Sequence, residues 1–600
     1  MSTSTSTPSH KPLKHRSVVS SFIFKLPPSY LPPSPSSSPS SPSTKPAQDN
    51  PIQKPLVALF KRSDKVSTYT HHHAPISGSI EPTDPSPLAA AWREITEETT
   101  LTSSDLNLLR HGKPYPFSDE SVGREWTIWP FAYMLKDPTG DGAGSEKRIK
   151  IDWEHEGWNW FDPLEVQDTE EFGGVPKLKE SLRRVWFEID LRPEAGRVLA
   201  EGCKRLEEDY VSGARQMAGD ALRVLKDVVD KMDEGFFDGG QEDGKEAKWW
   251  KDIRMAAWHL WKNGRESMGA AIMSALLNSL ASVEAKVFTE APPNTGKHLK
   301  PAITSILNHQ ISTRSSTNNQ ISQSFASYIS HHFSSSPNPL SILTLSESST
   351  ITRAISHLPH LIPSLPLDIR ILESRPQLEG VSLAANLAKS LSSSTPPDSS
   401  SSSGNNPNRQ HNITLYTDAS TSLASKDGVN LVIIGADRIA SDGSVSNKTG
   451  SVPTLLAARH HANEAKAKTK AKTKVVVLCD SEKVALPGPP EQHVVEDQGW
   501  EQVTRAWMGE GSSERIRGAA RTVLNFVDGK SPGGDGNVNE EKEKEKMTGV
   551  KVHVKNVSFE WCPGGLIDAY VTEEGEWSAE NVKRKSEALQ ELEKRLFGPL

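Results

Sequence analysis

Cysteine is scarce in this 600-residue chain: only Cys203, Cys479 and Cys562 occur, far apart and in no CxxC arrangement. That spacing excludes a disulfide framework and a thiolate zinc site, and it fits a reducing compartment, so a cytoplasmic location is expected. An uninterrupted run of about 18 apolar residues is also missing, so no membrane span is expected, and the N-terminus lacks the compact apolar core of a secretory signal. The first 48 residues contain no acid. Such a serine-rich start is shared by organellar transit peptides, but its prolines favour plain disorder. Finally, no single sign of charge dominates: charged residues make up 24% and the formal net charge is -7. This excludes the global basic surface that grips nucleic-acid backbones, so nucleic acid is not an expected partner.

The chain is too long for one core, and ordinary domain sizes argue for two or three folded units. Ser/Pro, Gly or charge tracts that cannot bury enough apolar area to offset ordering entropy mark residues 1–14 and four insertions, at 27–52, 392–410, 463–473 and 529–548. RSVVSSFIFK, KPLVALFKRS and REWTIWPFAYML read as strands. From about Pro193 the pattern turns helical, in VSGARQMAGDALRVLKDVVDKM and in the stretch from DIRMAAWHLW to ALLNSLASV. Beyond residue 340, SILTLS, LDIRILES, HNITLYTD, VNLVIIGAD, KVVVLCD and VKVHVKN alternate with helical stretches. Continuous apolar runs of this kind predict a parallel sheet covered on both faces, with ligands beyond the carboxyl ends of its strands.

Two segments carry chemistry. In AWREITEETTL, Glu94, Glu97 and Glu98 stand at i, i+3 and i+4 of a helix, so three carboxylates share one face and repel. A hard divalent cation such as magnesium, completed by phosphate oxygens, would compensate them; a solvated acidic face is the alternative. The histidines His71, His72 and His73 sit in an extended segment that sends neighbours to opposite sides, and they are read as strand or loop surface.

With ISGSIEPTD upstream and HEGWNWFDPLEV downstream, this segment resembles the Nudix hydrolase family over roughly residues 15 to 190. The family's box reads glycine, five residues, glutamate, seven residues, then REUXEEXGU. Gly78, Arg93, Glu94, Glu97 and Glu98 fall on it. The resemblance implies an α/β/α sandwich, metal carboxylates at Glu94, Glu97 and Glu98, and Arg93 orienting them. It implies magnesium, with manganese as the alternative. Three departures stand out: Asp84 replaces the box glutamate, one extra residue precedes Arg93, and Thr100 replaces the loop glycine. Loss of that glycine removes the easy route to a positive φ.

The second segment is IIGADRIASDGSVSNKTGS. A buried strand ending in Gly435 and Asp437, followed by Asn447 and Lys448, puts a carboxylate, an amide and an ammonium at a strand's carboxyl end. These suit a phosphorylated polyol, with lysine on phosphate and aspartate binding hydroxyls or moving a proton; a turn with an exposed lysine is the alternative. GADRIASDGSVSNKTGS, LESRPQLEG, GRESMGAAI, VSGARQMAGDALRVL and NVSFEWCPGGLIDAYVTEEG, in about residues 193 to 578, resemble the initiation factor 2B alpha/beta/delta family, which includes methylthioribose-1-phosphate and ribose-1,5-bisphosphate isomerases. The resemblance implies a helical subdomain (193–300), a Rossmann-like sheet domain (301–580) and a C-terminal helix (581–600), assembled as homodimers or larger oligomers. It implies ligand contacts at Arg375, Lys448, Asn447 and Asp437, with Arg265 and Gly269 of GRESMG as weaker ones. The isomerases' catalytic cysteine aligns with Ser346, whose hydroxyl is a far poorer proton donor or acceptor near neutral pH.

The expected whole is an α/β protein: a Nudix sandwich, a helical subdomain and a Rossmann-like parallel-sheet domain. Its expected activity is magnesium-dependent hydrolysis of a nucleoside diphosphate derivative beside a phosphosugar-binding domain. The competing readings are a regulatory sensor of the initiation factor 2B type and an aldose-ketose sugar-1-phosphate isomerase, the latter disfavoured by Ser346.

Overall fold

A computed structural model describes residues 13–27, 30, 54–137, 144–237, 247–265, 268–289, 298–333, 339–363, 365–393, 411–426, 428–466, 473–490, 497–527 and 552–600. The expected insertions at 27–52, 392–410, 463–473 and 529–548 lie wholly or mostly outside these residues, as do residues 1–12. Where their edges are described they are ordered: β1 starts at Lys14, and two helices run on to Ser393 and Lys466.

Contacts divide the chain into two compact units, one of Met1–Ser212, Gln216–Ile311 and Leu592–Leu600, the other of Gly213–Arg215 and Ser312–Glu591. The first contains a mixed sheet of β1 (Lys14–Lys25), β2 (Leu56–Arg62), β3 (His73–Ala74), β4 (Leu106–His111), β5 (Tyr115–Asp119), β6 (Arg124–Leu135) and β7 (His155–Phe161). Its order is β3-β2-β1-β6-β4, with β5 added to β6 and β7 to β2. β1 and β6 run parallel from Lys14 opposite Arg124 to Phe24 opposite Met134.

Side chains alternate across a strand, so each strand feeds two cores. Val19, Ile23, Ala58, Phe60 and Tyr133 pack with Ala90, Ala91 and Ile95 of the helix Pro87–Thr99 on one face. Phe22, Phe24, Val57, Leu59 and Ala132 pack with Leu178, Leu182 and Trp186 on the other. This is the α/β/α sandwich. The helices between residues 193 and 311 cluster with it and not with the sheet that follows. One tie is an amide clamp: Asn263 Oδ1 accepts from His111 N at 2.6 Å and Asn263 Nδ2 donates to His111 O at 3.1 Å.

By length and composition one helical window, Gly269–Phe288, could cross a membrane, a departure from the sequence expectation. Its Ile272, Leu276 and Leu277 are fully buried in the protein, which is the environment of a core helix.

The second unit carries the sheet β10-β9-β8-β11-β14-β16-β17, formed by β8 (Leu340–Leu345), β9 (Leu367–Leu372), β10 (Asn412–Tyr416), β11 (Leu431–Ile434), β14 (Lys474–Leu478), β16 (Ala569–Thr572) and β17 (Gly575–Trp577). All pairs are parallel except the β16–β17 hairpin. β12 (Arg438–Ile439), β13 (Val445–Lys448) and β15 (Phe559–Cys562) make a small antiparallel sheet. VKVHVKN, expected as a strand of this sheet, does not supply one among its described residues, where Val552 makes an isolated bridge to Val527. Its charged alternate residues suit one wet face, whereas Ala569–Thr572, buried at every position, fills the doubly covered slot.

Burial, aided by Lys262, lowers the His111 pKa to about 4 from its ordinary 6.5. A depressed folded pKa means the unfolded chain binds more protons, so this contribution to stability is present above pH 6.5 and lost as pH falls towards 4. Thermal melts are expected to show Tm falling across that window, and falling less steeply in His111→Phe; identical slopes would show that His111 does not contribute.

Candidate functional site

The helix Pro87–Thr99 starts where Ser86 Oγ accepts from Ala89 N at 3.2 Å, with Pro87 in the first turn. It ends at Thr100, which itself takes the left-handed conformation, φ 61°, and bonds Thr96 O. The missing glycine thus leaves the turn intact but strained, because a β-branched residue is disfavoured there. Thr100 Oγ1 donates to Arg148 O at 3.3 Å, an anchor that glycine would lack.

Arg93 is the hub of the acidic face. It donates from Nε and Nη2 to Asp84, from Nη1 to Glu94 at 2.8 Å and to Glu97 at 3.0 Å, and from Nη2 to Ser79 O. Asp84 is held below the usual carboxylate range by the Arg93 guanidinium, so the substituted box position keeps an acidic partner for the arginine. Gly78 is required for room: a Cβ there would lie 2.0 Å from the Glu94 carboxylate.

The three glutamates do not converge as expected. Glu94 lies over Gly78; Glu97 is 57% exposed; Glu98 is buried, with Oε2 2.5 Å from His155 Nε2. Their oxygens are not gathered within 4.8 Å of one another. Neighbouring carboxylates repel; Glu94 and Glu97 are held by the shared Arg93 Nη1, while Glu98 turns away to His155. Glu154, which the helix pattern could not reveal, joins the cluster from the loop before β7. Burial pushes Glu94, Glu98 and Glu154 upward in pKa, and repulsion from neighbouring carboxylates, Asp152 and Glu97 among them, adds to it. Burial holds His155 down at about 4. Glu98 Oε1 is buried with no hydrogen-bond partner among the described residues. A buried, unpaired carboxylate oxygen among other acids fits the donor set of a hard divalent cation.

Beside this cluster lies a cavity of about 510 Å³. Glu81, Glu94 and Glu154 supply its carboxylates, and Arg16, Arg62, Lys65, Arg124 and Lys177 its cations. Phe117 and Trp126, stacked with ring centroids 5.4 Å apart, form an aromatic wall. None of the five cations was foreseen: Arg16, Arg62 and Arg124 meet through the register of β1, β2 and β6, and Lys65 and Lys177 join them from outside the strands. His71, His72 and His73 go to separate partners: Glu156, Thr70 O, and the rings of Phe161 and Phe172.

In the second unit, Ser346, Arg375 and Gly435 lie just beyond the carboxyl ends of β8, β9 and β11, where strand order reverses between β8 and β11. Ser346, at φ 63°, donates from Oγ to Glu379 Oε2 at 2.5 Å; Lys448 Nζ pairs with Glu379 Oε1 at 2.9 Å. Asn447 Nδ2 donates to Ser451 Oγ, and its Oδ1 faces Gly435 so closely that a Cβ there would sit at 3.3 Å. Asp437 follows Gly435 and Ala436, its N donating to Ser446 O. Arg375 is exposed and paired with Glu373. Glu560 Oε1 accepts from Gly450 N and Val452 N, occupying the helix N-terminus at which an anion would dock. Glu379 and Glu560 were not singled out in the sequence, as each lies far along the chain from the groups it holds. Arg265 belongs to the first unit, where it donates to Asp209 O and lies over the Tyr210 ring. Cys479 and Cys562 are buried free thiols whose pKa burial raises, so neither replaces a reactive thiol at Ser346.

The chain thus joins two α/β classes, a mixed-sheet sandwich with an acidic helix and a parallel sheet with ligand-type groups at its switch point. The first is a NUDIX domain, whose family model matches residues 49–185, and the second contains a domain of the Initiation factor 2 subunit family, matched over residues 408–579. Curated relatives include the methylthioribose-1-phosphate isomerase of Verticillium alfalfae, 30% identical over 168 residues (27% of this chain, 36% of that protein). That of Nematostella vectensis is 27% identical over 185 residues (29% and 38%). The matches thus span little more than a third of these relatives' length. Among solved structures, the Pyrococcus horikoshii OT3 translation initiation factor eIF-2B covers 64% of this chain and 97% of its own at 17% identity and a TM-score of 0.39. The 5-methylthioribose 1-phosphate isomerase of the same organism covers 66% and 88% at 16% identity and a TM-score of 0.38.

Two substitutions test this geometry. Thr100→Gly relieves left-handed strain but adds backbone entropy to the unfolded chain, so a net gain of about 0.5 kcal/mol is expected in denaturant unfolding. Gly78→Ala is expected to keep the fold, read by circular dichroism, while displacing the Glu94 carboxylate and weakening magnesium binding in calorimetry.

Proposed function

We propose that the first unit is a magnesium-dependent hydrolase of a nucleoside diphosphate derivative, and that the second binds a phosphosugar. The observation that supports this most is the cavity in which three carboxylates face five cations and an aromatic wall. Glu94, Glu98 and Glu154, whose oxygens are likewise not gathered within 4.8 Å of one another, would turn inward to hold magnesium, with manganese as the alternative, and the ion would supply charge neutralisation and Lewis acidity at the diphosphate. Arg16, Arg62, Lys65, Arg124 and Lys177 pair with phosphate oxygens, and the Phe117–Trp126 wall offers a stacking face to a base. Arg93 acts as a positioning residue for Glu94. Glu97, in solvent, contributes charge at a distance.

For the second unit, Asp437, Asn447, Lys448 and Arg375 are the proposed polar contacts, with Gly435 allowing close approach. A regulatory sensor is the second reading. It is favoured by Lys448 and the helix N-terminus at Gly450 being satisfied internally by Glu379 and Glu560, so a ligand must displace these carboxylates. Isomerisation has the isomerase relatives behind it and Ser346 against it. Dimers or larger oligomers through this unit are supported by exposed Leu415 on the sheet's outer strand β10 and by exposed Leu423 and Leu456. Three buried free cysteines support a cytoplasmic setting.

Purified protein screened with nucleotide sugars and dinucleotides is expected to release phosphorylated products only with magnesium or manganese. Glu94→Gln and Glu98→Gln are each expected to lower kcat on the order of 100-fold with the fold intact. Unchanged turnover in both variants, or turnover in excess chelator, would reject the hydrolase. Stabilisation by sugar phosphates without any turnover would support the sensor.

A further inference from the structure

Apart from both sites above, the second unit brings two imidazoles and a carboxylate together at one corner. His331 and His332 close the helix Thr317–Phe333, and Glu576 sits mid-strand in the β16–β17 hairpin, opposite Val571. One ligand atom from each lies within 4.8 Å of the others, the only such group of His, Cys, Asp or Glu among the described residues. His332 Nε2 is 3.2 Å from both Glu576 oxygens, and its ring packs on Tyr328 with centroids 4.3 Å apart. The His331 and His332 rings are 4.6 Å apart.

We propose that His331, His332 and Glu576 form a site for a borderline divalent cation of the zinc class. Two imidazoles and one carboxylate are donors that zinc prefers, whereas magnesium prefers an all-oxygen shell. Imidazole nitrogens and a carboxylate oxygen offer lone pairs that such a cation would draw together. His331 and His332 stand in the last helical turn, where the helix dipole favours positive charge. Around a tetrahedral ion the donor atoms stand about 3.3 Å apart, a separation that His332 Nε2 and the Glu576 oxygens already have and that the other pairs, no more than 4.8 Å apart, would reach by rotation of exposed side chains. His331 and Glu576 also line a cavity of about 430 Å³ with Gln320, Gln323 and Ser327, so the fourth coordination position would open onto a polar chamber. The ion would cross-link the helix to the hairpin at the edge of the parallel sheet.

The test uses the full chain, stripped with chelator and kept in excess magnesium so that oxygen-only sites are filled. Titration with zinc is expected to show one tight equivalent that is absent, or at least tenfold weaker, in His331→Ala, His332→Ala and Glu576→Gln. Cobalt substituted for zinc is expected to give the intense visible absorption of a four-coordinate ion in the parent chain only. His331 and Glu576 are solvent-facing, so those two variants are expected to keep the parent circular dichroism and melting temperature without zinc, and to lose the zinc-dependent rise in Tm. Equal zinc stoichiometry and affinity in the parent and in the His331→Ala/Glu576→Gln double variant would overturn the assignment, as would a weak six-coordinate cobalt spectrum.

Discussion

Arg93 is the interaction on which the N-terminal site rests. A helix that carries Glu94, Glu97 and Glu98 within two turns would expel them into water if nothing restrained them, since like charges at these spacings repel. One guanidinium, with five donors in a fixed plane, reaches Asp84, Glu94, Glu97 and the carbonyl of Ser79 together. It keeps Glu94 over Gly78 and beside the cavity, and it ties the helix to the loop that precedes it. Glu98 is held differently, by burial and by His155, so one acidic face is divided between a wet and a dry environment.

The second unit obeys a different constraint. Parallel strands covered on both faces leave their loops as the one place where polar groups can meet a ligand. Ser346, Arg375, Gly435 and Asp437 all follow strand ends for that reason. Yet Glu379 and Glu560 already satisfy the ammonium and the helix amides that a phosphate would seek. Polar groups withdrawn from water need partners, and these two acids supply them. A ligand that entered there would exchange partners with Glu379, at the start of a helix, and with Glu560, on β15.

Much of this was readable from residue order. The alternation in RSVVSSFIFK and KPLVALFKRS reports strands whose two faces feed separate cores, and the 3.6-residue spacing of Ala91, Ile95 and Glu98 reports a helix seated on a sheet. VKVHVKN misled because alternation with lysine and histidine describes a strand with one wet face, which a parallel sheet covered on both faces does not accept. Thr100 was readable only in part: the sequence shows that glycine is missing, but not that threonine would take the left-handed turn regardless.

What the sequence determined by itself is local and periodic: the elements, the spacing of the acids along one helix, the dry strands of the parallel sheet and the motifs at their ends. What only the tertiary structure decided is which distant groups meet. Arg16, Arg62 and Arg124 share a cavity because β1, β2 and β6 pair in one register, and Glu154 joins Glu98 because a loop docks on the helix end. The physical reason is that covalent order sets dihedral preference and hydrophobic period over a few residues. Proximity across a hundred residues depends instead on the simultaneous burial of many side chains, which no short pattern records.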